Sequence, residues 1–252
     1  MRSSSGEPRV AVLLTVHKRK NLRRQLDSIL GQTMQPESIT VFQNGLFQRL
    51  PTRLLRRKGV DFVVNSANTG YFGRFAHLFN LEADYVAVLD DDIIPGERCL
   101  ENYVNQAIEL EGIVGGNGRI ARTNPHLDDL DQPLDTGKRE VATLVDFVGH
   151  MWVFEKRLLR DMFAEEPATT QTGEDMHLCF SAKKLSGVRS YVAQQVADEE
   201  SCDITNNKLS SDEFSSFKST PKPLRESVEQ HFFSQGLRFI TPDEQREYSR
   251  SF

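Results

Sequence analysis

The sequence predicts an α/β fold, with a mostly parallel central sheet flanked by helices and a smaller mixed region following it. Three observations predict this. Short apolar runs alternate with helical patterns over the first ~120 residues, the signature of βα units. The run Tyr85–Leu89 holds four apolar residues in five, as a strand buried on both faces requires. Asp90, Asp91 and Asp92 follow that run directly, beyond the carboxyl end of a strand, where open α/β sheets bind ligands.

Taken in order, Val10–Val16 reads as a buried strand. Asn21 reads as the cap of a helix in which Leu22, Leu26, Ile29 and Leu30 recur at helical spacing. Ser38–Phe42 is a second strand ending at Asn44-Gly45, a turn signal. Val60–Val64 is a third, followed by an Asn- and Gly-rich loop, a helix over Phe75–Leu81 and the strand Tyr85–Leu89. The second half is less regular. Cys99–Leu110 reads as a helix, Ile113-Val114 as a short strand broken by Gly115, Gly116 and Gly118, and 123–138 as a polar surface loop. A strand over Val141–Val148, helices over Glu155–Phe163 and Asp175–Leu185, and a last strand over Val188–Val196 follow. The stretch 198–220, rich in Ser, Asp, Asn and Lys, reads as mobile, ahead of a short amphipathic helix near Leu224–Phe233.

The bulk numbers narrow the function. The chain has 252 residues, 38% hydrophobic and 27% charged, with a net charge of -5. That balance argues against a general nucleic-acid binder, which needs an excess of Lys and Arg for phosphates. Two basic clusters, Lys18 to Arg24 and Arg53 to Lys58, read as solvated faces, with an anion site as the alternative. Cys99, Cys179 and Cys202 show no metal or disulfide spacing, which predicts inert thiols in a reducing compartment. No apolar run is long enough to span a bilayer. The expectation is a cytoplasmic protein that visits any membrane-bound acceptor peripherally.

Three adjacent carboxylates at the end of a buried strand repel one another and are costly to desolvate. A divalent cation removes that cost, and hard oxygen ligands suit Mg²⁺ or Mn²⁺. An acidic turn facing water is the plainer alternative. The series VAVLLTVHKR, SITVFQNG, NSANTGYFGRF and YVAVLDDDIIPG resembles the nucleotide-binding half of GT-A glycosyltransferases, and glycosyltransferase family 2 in particular. The resemblance implies a GT-A fold, a nucleotide-sugar donor and a metal held by the aspartate motif. It makes Asp92 the main metal ligand, with Asp90 and Asp91 near ribose, diphosphate or metal. It further implies donor contacts at Thr15, His17, Asn44, Asn68, Gly70 and Arg74. Family 2 often carries an aspartate where this chain has Asn44, so the donor's base stays open among UDP-, GDP- and dTDP-linked sugars. Asn44-Gly45 also reads simply as a turn, and Arg74 as a surface side chain.

Thr172-Gly173-Glu174-Asp175-Met176-His177 opens another helix. Acids in a first turn are favoured by the helix dipole in any protein. Together with VDFVGHMWVFEKRLL upstream, however, TGEDMHLCF resembles the acceptor half of bacterial family 2 transferases. The resemblance makes Asp175 the general base of an inverting transfer and Glu174 its neighbour. Exostosin-like transferases share a similar cluster and late acidic pair, so retention is an alternative. Trp152 and His150 read as acceptor contacts or as packed residues, and His231 as a weak extra metal ligand or a structural residue. Gly115–Gly118 reads as a close backbone approach to substrate. The expected organisation is a flexible 1–8, a catalytic domain over 9–197 with a donor half (9–96) and an acceptor half (97–197), and an extension over 198–252 serving as a lid plus helix. A sugar-phosphate nucleotidyltransferase and a non-catalytic carbohydrate-binding scaffold are the rival functions. The transferase reading implies a saccharide acceptor and no nucleic-acid partner.

Overall fold

The apolar runs Val10–Val16 and Tyr85–Leu89 become β1 and β4, which pair in parallel and are buried almost throughout. Around them the computed structural model, which describes residues 6–132, 139–195, 213 and 220–250, assembles an eight-stranded sheet. The remaining strands are β2 (Ser38–Gln43), β3 (Val60–Val64), β5 (Ile113–Arg119), β6 (Thr143–Val145), β7 (Phe147–Glu155) and β8 (Ser190–Val192). Their order is β3-β2-β1-β4-β7-β5-β8-β6. The first four run parallel, as do β5 and β8, while β7 and β6 run against their neighbours. This is the mostly parallel α/β sheet that the sequence predicts.

Successive strand residues point to opposite faces, and the core divides accordingly. Val10, Val12 and Leu14 of β1 pack with Leu22, Leu26 and Ile29 of helix α1 (Leu22–Leu30) and with α4 (Cys99–Glu109). The short helix α2 (Thr52–Leu55) adds Leu54 to this layer. Ala11 and Leu13 face the other way. There they meet α3 (Phe72–His77), α5 (Leu158–Ala164), α6 (Glu174–Ser186) and α7 (Lys222–Ser234). Helix α7 contributes Val228 and Phe232 to the same core, and the chain after it adds Phe239 and Ile240 before α8 (Pro242–Tyr248). Cys99 and Cys179 are buried thiols outside any disulfide, and burial pushes Cys179 up to about 12.

Several local expectations need correction. Asn21 does not cap α1 through its side chain; its amide donates to the Asp91 carbonyl instead. The helix expected over Phe75–Leu81 starts at Phe72 and tightens into a 3-10 turn over Leu78–Asn80. β5 continues through its glycines because neighbouring side chains occupy the space. A Cβ on Gly115 would lie 2.3 Å from Val148 Cβ, and one on Gly118 would lie 2.4 Å from Val192 Cγ2. The strand expected over Val141–Val148 is two strands, bent at Asp146. That buried carboxylate collects the amides of Ala121 and Ile240 and the side chain of Asn124, which a straight strand would not allow. β7 then runs on to Glu155, so α5 starts at Leu158 rather than Glu155. The last strand is shorter than expected, and α8 was not foreseen. Apart from residues 213 and 220, the stretch expected to be mobile lies outside the described residues, as does Cys202.

Gly118→Ala should cost about 1–3 kcal/mol through overpacking against Val192 and Val145. Denaturant unfolding checks this: a midpoint equal to wild type would mean that the two valines give way freely.

Candidate active site

The carboxyl ends of β1, β2 and β4 converge with the start of α6 on one cleft of about 230 Å³. Thr15, His17, Asn44, Asn68, Gly70, Arg74, Asp90, Asp91, Asp92, His150, Trp152, Glu174 and Asp175 all line it. Of the candidate site residues, His231 is absent from this lining, and of the run Gly115–Gly118 only Asn117 and Gly118 belong to it. His231 sits on α7, edge-on to Phe232, with its Nε2 3.0 Å from Gln235 Nε2. The structure therefore does not bring His231 to the aspartates.

Arg74 organises the cleft. It is 5% exposed and reaches three elements at once. Its Nη1 donates to Asp90 Oδ1 and, at 3.2 Å, to Thr15 Oγ1; its Nη2 donates to Glu174 Oε1 at 2.8 Å. Burial opposes the guanidinium's charge, but the Asp90 and Glu174 carboxylates outweigh it and hold the group protonated. The reading of Arg74 as a surface side chain is thus set aside. Trp152 supports it from below, with the guanidinium 4.8 Å from the indole centroid. Trp152 is itself 2% exposed, its Nε1 donates to the Val148 carbonyl, and Phe75 packs edge-on against it. What stacks on this indole is Arg74, and it offers no open face to a sugar.

Asn44 is similarly committed. Its Oδ1 accepts from the Thr69 amide and hydroxyl, and its Nδ2 donates to the Gly70 carbonyl. It clamps the loop in which Asn68 Oδ1 accepts from the Gly70 amide and Gly70 adopts a positive φ of 70°. That clamp fixes where α3, and hence Arg74, begins. His17 Nδ1 lies 3.4 Å from the Asn44 carbonyl, and its ring meets Phe47 edge-on. His150 stands at φ 67°, an uncommon conformation for a non-glycine residue, and its carbonyl accepts from the Asp90 amide. This residue of β7 thereby pins the start of the aspartate motif.

The aspartates differ in environment. Asp91 pairs with Arg19 at 2.5 Å, and the same guanidinium lies 3.4 Å from Asp92. Arg19 is therefore turned into the site, a correction to the reading of its cluster as a solvated face. Asp92 is 7% exposed, and its Oδ1 is buried with no hydrogen-bond partner. Burial, reinforced by the charges of Asp90 and Asp91, raises its pKa to about 7. Glu174 is raised to about 7 as well, by burial first and the Asp175 charge second. Asp175 stands in the first turn of α6, where its Oδ1 accepts from the Met176 amide. Gly173 sets this turn at φ 79°, and Val228 of α7 leaves no room for a Cβ there. The lining also includes Arg119, Tyr71, Asn117, Thr172 and Arg225. Asn117, Tyr71 and Thr172 lie within stretches that the sequence singled out as a whole, whereas Arg119 and Arg225 went unremarked, since a single polar residue on a strand or helix carries no spacing signal.

No family model matches the chain, and no curated protein matches it in sequence. Solved structures do. The crystal structure of S. aureus TarS superposes with a TM-score of 0.54 at 14% identity, covering 77% of this chain and 36% of that one. The structure of S. aureus TarS 1-349 gives 0.55 at 15% identity, covering 77% of this chain and 60% of that one. This chain thus spans less than two thirds of either TarS chain. At that identity the likeness is one of fold alone, a mostly parallel α/β sheet flanked by helices.

Proposed function

We propose that the chain is a metal-assisted glycosyltransferase that moves a sugar from a nucleotide-sugar donor to a hydroxyl of a saccharide acceptor, with inversion. One observation carries the reading: carboxylates from two distant stretches, Asp90–Asp92 and Glu174-Asp175, line a single cleft and are tied together by Arg74. The fold likeness to TarS, a family 2 glycosyltransferase, supports it.

The residues fit a hard cation. Asp92 offers a buried carboxylate oxygen without a partner. Among the described residues no three His, Cys, Asp or Glu side chains form a ready-made cage. The protein would then supply Asp92, with Asp90, and the donor diphosphate the remaining oxygens, a common arrangement for Mg²⁺ and one open to Mn²⁺. A cation held there would supply Lewis-acid stabilisation of the negative charge on a departing nucleoside diphosphate. Asp175 takes the acceptor hydroxyl's proton while that oxygen attacks the anomeric carbon from the face opposite the leaving group. Thr15, His17 and the Asn44-clamped loop 68–70 form the wall for the nucleotide. Arg74 holds Asp90 and Glu174 in fixed relation, so the donor and acceptor ends keep register.

A thermal-shift series with nucleoside diphosphates and nucleotide sugars, each with Mn²⁺, Mg²⁺ or EDTA, tests the reading. One nucleotide class should raise the Tm by roughly 5–10 °C at a hundredfold excess over Kd, only with metal and not in Asp92→Asn. A folded wild type indifferent to every nucleotide and metal would sink it. Without ligand, Asp92→Asn has a second expected effect. Between the ordinary carboxylate range and about 7, folded Asp92 keeps a proton that the unfolded chain has lost. Its contribution to stability therefore falls as pH rises through that window. Asparagine removes the penalty, so the variant should melt above the apo wild type at pH 8 and approach it near pH 5.

A further inference from the structure

Residues 18–58 carry ten Lys and Arg against two Asp and Glu, a net of +8 in a chain whose overall charge is -5. The active site uses only Arg19 of these cations, so the rest call for a separate account. The fold gathers them on one surface. Helices α1 and α2 cover the same face of the sheet, with Leu22 and Leu26 beside Leu50 and Leu54 in one core cluster. Arg57 reaches Asp27 of α1 at 2.7 Å. Gln48 Nε2 donates to the Arg19 carbonyl at 2.9 Å, which draws the loop after β2 against the turn after β1. Exposed side chains then include Lys18 and Lys20 from that turn, Arg23 and Arg24 from α1, and Arg53 and Arg56 from α2 and its end. Asp27, the acid on this surface, is already paired with Arg57 and Arg23. Glu37 lies at the far end of the strands, where its amide donates to the Val10 carbonyl.

Charge is only half of the pattern. Leu46, Phe47 and Leu55 stand among these cations at 66%, 50% and 43% exposure, and the Lys18 ammonium sits 5.3 Å from the Phe47 ring centroid. A solvated charged face has no use for exposed apolar side chains, and a phosphate backbone recognised through cations alone gains nothing from them. A lipid interface uses both, because basic residues meet anionic head groups while apolar side chains enter the acyl boundary. We propose that this α1–α2 surface docks the protein on an anionic phospholipid membrane. His17 and Asn44 line the cleft immediately beside Lys18 and Leu46, so docking brings the mouth of the cleft to the head-group layer. That a membrane-tethered acceptor is thereby presented rests on the transferase reading; the docking itself does not.

Co-sedimentation with vesicles tests it, with no donor, metal or turnover involved, so its outcome is independent of the transferase assay. The full chain should pellet with phosphatidylcholine–phosphatidylglycerol vesicles at low salt, stay in solution with pure phosphatidylcholine, and be released as salt screens the charges. The triple variant Arg53→Gln, Arg56→Gln, Lys58→Gln should lower partitioning on the order of 100-fold. Leu46→Ser with Leu55→Ser should weaken it with the salt dependence retained. All five side chains are exposed, and an unchanged melting curve checks that each variant folds. Wild type left in the supernatant, a triple variant that pellets equally, or single-stranded RNA displacing the protein from vesicles while the serine variant keeps full RNA affinity would each overturn the proposal.

Discussion

Asp175→Asn should lower the rate of sugar transfer about 10³-fold, within the range that a positioned general base contributes, and leave donor and metal binding unchanged. Asparagine keeps the size and the oxygen that accepts from the Met176 amide, so the first turn of α6 should hold its geometry. What it loses is the ability to take a proton. The neighbouring residue supplies the contrast. Glu174 is 6% exposed and tied to Arg74, so Glu174→Gln disturbs the frame of the site as well as its charge, and both melting temperature and donor binding should move with the rate. Single-turnover kinetics with saturating donor separates the two variants. An Asp175→Asn enzyme within threefold of wild type would remove Asp175 from the base role, and a product that retains the donor's anomeric configuration would do the same.

The donor half of the fold was legible in the sequence because its strands are short and mostly apolar, and β1 and β4 are buried on both faces. Val10–Val16, Val60–Val64 and Tyr85–Leu89 coincide with β1, β3 and β4, and β2 runs one residue past the expected Phe42. The second half was read less well for a physical reason. β5 contains three glycines, two of which, Gly115 and Gly118, admit Val148, Val145 and Val192 from neighbouring strands, and a one-dimensional pattern cannot show a neighbour. The bend at Asp146 has the same origin: a carboxylate in an apolar run looks like an interruption until its three donors, all more than twenty residues away in sequence, are seen around it. At the site, residues adjacent to strand ends were found by position alone, whereas their tasks were not. Trp152 drew attention as an aromatic platform, and its face is taken by Arg74. Asn44 drew attention as a base contact, and its amide clamps the loop 68–70. Arg19 sat unnoticed in a basic run, because nothing in the sequence distinguishes a cation turned toward Asp91 from its solvated neighbours.

Arg74→Ala carries the largest expected loss of stability, about 3–5 kcal/mol, because it leaves buried charges without their partner. Removing the guanidinium strands Glu174, buried against the sheet, and Asp90, whose side chain is 29% exposed and so is partly relieved by water. The loss should therefore lie toward the lower end of that range. It should also depend on pH: protonating Glu174 removes the buried charge that the variant strands, so the gap to wild type narrows as pH falls below the raised Glu174 value of about 7. A compensated variant separates charge from packing. Arg74→Met with Asp90→Asn and Glu174→Gln replaces the three charges by neutral groups of similar size, and buried ionic clusters replaced in that way often lose no stability. Thermal unfolding should then recover most of the deficit, while transfer stays abolished because the donor and acceptor ends no longer share a fixed charged link. Recovery of activity along with stability would mean that Arg74 serves the fold alone. A compensated variant as unstable as Arg74→Ala would mean that the stacking of the guanidinium on Trp152 and Phe75, rather than the ion pairs, is what the cleft depends on.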